Sequence, residues 1–202
     1  VIDRETPLVL GSASPRRLAL LSELGLAVRV VTAAIDEAPE PGEAADAYLA
    51  RVVRDKLRAV ASELDAAPFA ALLVADTSVV VDGEILGKPE DATDAERLLR
   101  LIVGRTHTVF TRYAIALPAD PARPARERTV ATNVQMRAAT AAEIAGYARS
   151  GEGLDKAGAY AVQGLGSFLV ERIEGSYANV VGLPVCEVVV DLRDLGLLDR
   201  FP

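Results

Sequence analysis

The sequence predicts an α/β protein: a mixed, twisted sheet in two lobes around a central cleft. Three observations point there. Near-continuous apolar runs at Leu8–Gly11 and Ala70–Ala75 are those of buried strands. Segments of helical periodicity are interleaved with them, which implies crossover connections. Asp82-Gly83 between two short extended runs marks a hairpin, so antiparallel pairing is present too. No internal repeat and no clean linker interrupts the chain, and residues 1–202 read as a single two-lobed domain.

The elements follow in order. Leu8–Gly11 is a strand, and Ser14, Pro15 and Gly25 suit the cap, first position and stop of a helix with Leu18, Leu21 and Leu24 inward. Val28–Ile35 reads as a second strand, followed by an acidic, proline-containing loop. A long helix over 44–64 has the stripe Leu49, Val52, Val53, Leu57 and Val60, and Lys56 falls on that same apolar face. Asp76 ends the buried run at Ala75. Val79–Val81 and Glu84–Leu86 flank the hairpin turn, with Lys88 just beyond. Thr93 and Glu96 match a capping box for a helix to Val103, and Thr140 and Glu143 match a second. Between those helices Thr106–Leu117 and Thr129–Ala138 are strands joined by a proline-rich surface loop. Residues 150–167 form a glycine-dense loop holding Glu152, Lys156 and Gln163. Residues 168–175 are a strand, 176–184 a loop, and Pro184 opens the last helix.

Composition narrows the function. The net charge is −7, which argues against a broad nucleic-acid surface, and Trp is absent. The single cysteine excludes an internal disulfide and a cysteine-based zinc cluster. No apolar run approaches the ~20 residues of a membrane span. The beginning of the chain lacks a signal-peptide pattern, so the expected location is the cytoplasm.

Against that acidic background the cations at element ends stand out. Arg16 and Arg17 sit at a helix start, where the dipole is already positive and N–H groups lack partners. An anion meeting them would resolve the conflict, and a polyphosphate suits cations beside a helix N-terminus. Acids at element ends, Glu37 and Asp76, suit a divalent metal or a general base. Each has a plainer alternative. Ser14 to Arg17 is also a simple cap with solvated arginines, Lys56 also a snorkelling side chain, Glu37 a loop acid, and Asp76-Thr77 a turn cap. His107, the only histidine, lies in an alternating strand and reads as structural.

Seven stretches together resemble one family. They are SASPRRLALLSELG, IDE, RDK, ADTSVVVDGEILGKP, GRTHTVFT, GEGLDKAGAYAVQG and GSYANVVGLP, in the family's order and spanning nearly the whole chain. The family is that of the Maf nucleoside triphosphate pyrophosphatases. The resemblance implies a fold similar to inosine triphosphate pyrophosphatases. It also implies hydrolysis of a nucleoside triphosphate to the monophosphate and pyrophosphate with Mg²⁺ or Mn²⁺. By motif, Asp76 is then the proton acceptor, and Glu37 and Asp76 the metal-side carboxylates. Ser14, Arg17, Lys56 and Lys88 line the triphosphate site. Arg16, Thr77 and Gln163 separate substrate subclasses, and they resemble the branch that prefers dTTP and UTP over the one that prefers 7-methyl-GTP. The implied partner is the nucleotide, with a homodimer, and with no nucleic acid or membrane. The alternative is a nucleotide-binding regulator of cell division without turnover.

Overall fold

The computed structural model describes residues 1–199; the last three residues of the expected domain lie outside that range. Among the described residues seven strands form one mixed sheet. In chain order the elements are β1 (Leu8–Leu10), α1 (Pro15–Glu23), β2 (Val28–Val30), α2 (Ala45–Ser62), β3 (Ala71–Val81), β4 (Glu84–Leu86) and α3 (Ala92–Ile102). They continue with β5 (Thr106–Ala116), β6 (Pro124–Met136), α4 (Ala141–Ser150), β7 (Val170–Glu174), α5 (Tyr177–Val181) and α6 (Val185–Asp194). The strand order is β2-β1-β3-β5-β6-β7, with β4 paired to β3. β1 pairs in parallel with both β2 and β3, whereas β3–β4 and β6–β7 are antiparallel.

The chain divides into two compact units. The first comprises Val1–Asp76, Thr111–Val130 and the segment from Gly182 onward; the second comprises Thr77–Phe110 and Ala131–Val181. Each has its own apolar core. In the first unit the two faces of the sheet bury different sets, as the two-residue period of a strand requires. Leu8, Leu10, Ala71, Leu73 and Ala75 pack with Leu21, Val188 and Leu192. Val9, Leu72 and Val74 pack on the other face against Val53, Leu57 and Val60 of α2. In the second unit Leu98, Leu99 and Ile102 of α3 pack with Val79, Val81, Val134 and Met136.

Several boundaries differ from the sequence expectation for physical reasons. β3 does not stop at Ala75 but runs on through Asp76 to Val81, because the β-branched Thr77, Val79, Val80 and Val81 favour the extended chain. The cap of α3 is Asp91, whose carboxylate accepts from the Asp94 N–H at 2.8 Å, not Thr93; a carboxylate two residues earlier is the stronger acceptor. The capping box at Thr140 and Glu143 is present in both directions. β2 is only three residues long, β6 already begins at Pro124, and part of the expected loop at 176–184 is the short helix α5.

Within the second unit, His107 is 2% exposed on β5. Its Nε2 lies 2.8 Å from the Tyr160 hydroxyl, and the two rings meet edge to face at 5.2 Å. Nδ1 has no hydrogen-bond partner among the described residues. Desolvation holds the imidazole down to about 4, so this side chain is a neutral core residue, as its strand position predicts.

Candidate active site

The two periodicities that build the first unit also build its polar centre. Leu72, Val74 and Asp76 share one face of β3, the face turned to α2. On α2, Val52, Val53, Lys56, Leu57 and Val60 recur at helical spacing toward the sheet. Lys56 therefore meets Asp76 at the end of an otherwise apolar seam. Its Nζ lies 2.6 Å from Asp76 Oδ1 and 2.7 Å from Glu37 Oε1. The Lys56 side chain is 13% exposed, Asp76 10% and Glu37 39%. One ammonium is thus shared by two carboxylates on the span of two hydrogen bonds. Burying the Lys56 and Asp76 charges is expensive unless they are paired, and such groupings mark sites more than they add stability.

Glu37 is held there by α2. The Tyr48 hydroxyl donates to the Glu37 carbonyl at 2.9 Å. Arg51 donates to the Ala38 carbonyl at 3.0 Å and grips Glu43 with two nitrogens, at 2.8 and 2.6 Å. Its guanidinium lies 5.7 Å from the centre of the Tyr48 ring. Burial, with Asp76 and Glu37 nearby, pushes the Tyr48 hydroxyl far above its ordinary range, so it stays a donor. Sequence reading passed over Tyr48. The available signal was its spacing: Tyr48, Val52 and Lys56 recur every four residues on one face.

Arg16 and Arg17 part company. Arg17 is buried, with Nε donating to the Gly182 carbonyl at 2.8 Å and Nη1 to the Ala75 carbonyl at 2.8 Å and to Ser12 Oγ at 3.1 Å. Burial lowers its pKa, while the charges of Asp76 and Glu37 and that of Arg16 act in opposite directions on it. The bond to Ala75 puts a fixed positive charge one residue from Asp76. Arg16, half-buried, precedes it on α1. Ser14 has the extended backbone of a cap, with Pro15 next, yet its hydroxyl caps nothing in α1. Pro15 brings no N–H to the first turn, and the Leu18 N–H donates to the Ser14 carbonyl at 3.3 Å.

The remaining predicted residues belong to the second unit. Thr77 follows Asp76 on β3, and successive strand residues point to opposite faces. Lys88 is exposed just after β4. The Gly87 carbonyl before it accepts from the Gly158 N–H at 3.0 Å, tying the Lys88 segment to the glycine-dense loop. Gln163 is exposed at the head of the 3₁₀ turn Gly164–Leu169.

Among the described residues no group of three or more His, Cys, Asp or Glu is arranged to hold a metal ion. Among the described residues no helix is long and apolar enough to cross a membrane.

Comparison with known proteins places the chain in a family. Residues 7–195 match the family described as Maf-like protein. The chain is 49% identical over 193 residues to the dTTP/UTP pyrophosphatase of Myxococcus xanthus, covering 96% of this chain and 94% of that one. It is 47% identical over 192 residues to the dTTP/UTP pyrophosphatase of Geobacter metallireducens, covering 95% and 97%. Among solved structures, a HAM1 protein from Coxiella burnetii aligns at 12% identity and a TM-score of 0.42, over 65% of this chain and 73% of that one. That last likeness is too loose to carry function. The match over nearly the full length, in family and in relatives, makes this chain a member of the Maf-like protein family.

Proposed function

We propose that the chain hydrolyses dTTP and UTP to the monophosphate and pyrophosphate. The relatives described above carry that name, and the observation that supports the chemistry here is Lys56 shared between Asp76 and Glu37. A pure binder of a polyphosphate has little use for two carboxylates beside it, since they repel the ligand. A hydrolase needs at least one.

In this reading water attacks the α-phosphorus, the bond from that phosphorus to the bridging oxygen breaks, and pyrophosphate leaves. Asp76 accepts the proton of the attacking water. Its orientation is set by Lys56 at 2.6 Å. Lys56, Arg16 and Lys88 offer charge to the phosphate oxygens, and Ser14 with the positive end of α1 binds them as dipoles. Arg17 acts mainly by fixing the start of α1 beside Asp76. Positioning and charge neutralisation do most of the work in such a displacement. Thr77 and Gln163 are assigned to recognition of the base.

A divalent cation, Mg²⁺ or Mn²⁺, fits the donor set. Mg²⁺ is commonly held by one or two carboxylates with substrate phosphates and water completing the shell; Glu37 and Asp76 are the pair. When bound it neutralises phosphate charge. Cytoplasmic location and a homodimer remain part of the same proposal.

The test is pyrophosphate release from a panel of nucleoside triphosphates at matched concentration. Preferential turnover of dTTP and UTP, abolished by excess EDTA, is the expected result. Binding without turnover would establish the regulator reading instead, and persistence in EDTA would remove the metal.

A further inference from the structure

We infer that Glu152 is a positioning residue for substrate selection, fixing with Tyr147 the turn that presents Gln163. The inference rests on the reading that Gln163 meets the base.

The observations lie within the second unit. The Glu152 carboxylate accepts from two consecutive backbone N–H groups, Leu165 at 2.8 Å and Gly166 at 2.7 Å. It also accepts from the Tyr147 hydroxyl at 2.9 Å. That hydroxyl in turn accepts from the Ala161 N–H at 3.0 Å. The segment 161–166 is therefore held at both ends by one tyrosine–glutamate pair, and Gln163 sits between the two holds. The Glu152 carbonyl is itself anchored by the Lys56-like reach of another lysine, Lys156, whose ammonium donates to it.

The fit is close. At Gly164, whose φ is +63°, a Cβ would lie 2.2 Å from Glu152 Oε1. At Gly166 a Cβ would lie 2.3 Å from the Ala161 carbonyl and 2.6 Å from the Tyr147 hydroxyl. The glycines thus leave room for this carboxylate and for no side chain of their own. Desolvation raises the Glu152 pKa, but the N–H groups of Gly166 and Leu165 and the Tyr147 hydroxyl outweigh it, so the carboxylate is held below its usual range. The arrangement favours the charged form in a half-buried setting.

Selection of a base by Gln163 needs such a hold. A primary amide offers a carbonyl and an NH₂, and a rotation exchanges them. A loosely carried amide satisfies a thymine edge or a cytosine edge alike. An amide on a fixed turn discriminates, because only one edge meets it with donors and acceptors matched. Loosening the turn should therefore lower selectivity more than the rate on the best nucleotide.

The experiment compares kcat and KM for dTTP and dCTP in the wild type, Glu152→Gln, Tyr147→Phe, Gln163→Ala and the double variant Glu152→Gln/Gln163→Ala, with circular dichroism and thermal melting of each. The ratio of kcat/KM for dTTP over dCTP is the readout. Glu152→Gln should lower that ratio by about tenfold and Tyr147→Phe by about threefold. The double variant should be no less selective than Gln163→Ala alone, since both changes act through one amide. A lowered melting temperature with an unchanged ratio in both Glu152→Gln and Tyr147→Phe would make the pair purely structural and overturn the inference. Additive losses in the double variant would overturn it as well. If Gln163→Ala itself leaves the ratio unchanged, the base-recognition reading has failed first, and the inference falls with it.

Discussion

Acidifying the protein from pH 7 to pH 4 should destabilise it through His107 by about 3 kcal/mol. Burial holds this imidazole down to about 4, against an ordinary value of 6.5. The sign follows from where protons bind. Between those two pH values the unfolded chain takes up a proton that the folded chain refuses, so stability falls as pH drops through the window. Above 6.5 the contribution is constant, and below about 4 it levels off. The variant His107→Gln cannot titrate, yet its amide can still reach the Tyr160 hydroxyl. Chemical denaturation followed by far-ultraviolet circular dichroism at pH 7, 6, 5 and 4 gives the stability of both proteins. Acidic groups contribute to both curves, so their difference isolates the imidazole. With one histidine in the chain, its proton resonance reports the same titration without ambiguity. Parallel stability curves, or a folded-state titration near 6.5, would refute the reasoning.

Other outcomes follow from the first unit. Asp76→Asn should reduce turnover by ~100-fold or more with an unaltered circular dichroism spectrum, and near-normal kcat would remove Asp76 from the chemistry. Arg17→Ala leaves the Ala75 and Gly182 carbonyls without their donor and should cost about 2 kcal/mol, whereas Arg16→Ala should stay within about 0.5 kcal/mol and raise KM. Denaturation curves that coincide for the two would show that the arginines are not differentiated. Tyr48→Phe removes the donor to the Glu37 carbonyl and should raise the Mg²⁺ concentration for half-maximal activity several-fold; an unchanged Mg²⁺ dependence would take Tyr48 out of that role.

The meeting of Lys56 with Asp76 was within reach of pattern reasoning, because a period of two on β3 and of 3.6 on α2 both select the same seam. What pattern missed was that Asp76 lies inside a strand. A carboxylate after an apolar run reads as a terminator, and only the pairing with Lys56 makes it tolerable in mid-strand. The cap of α3 was misplaced for a related reason: Asp91, Thr93 and Asp94 are all competent acceptors, and the backbone torsions decide among them. The bonds of Arg17 to the carbonyls of residues 75 and 182 depend on chain paths that local sequence does not encode. Tyr48 and Glu152 stayed hidden because their partners are loop backbone groups, and residue type says nothing about which amide or carbonyl will turn toward them.

Arg17 also sets an order of events during folding. Its side chain joins the first turn of α1 to a carbonyl 165 residues further on. Contacts of such large sequence separation form late, after the chain entropy of closing them has been offset by nearer ones. A nascent chain with residue 182 still inside the exit tunnel can complete β1, α1 and α2, but not this contact. The start of α1, where Arg16 follows Ser14, therefore acquires its final form only once residue 182 has left the tunnel.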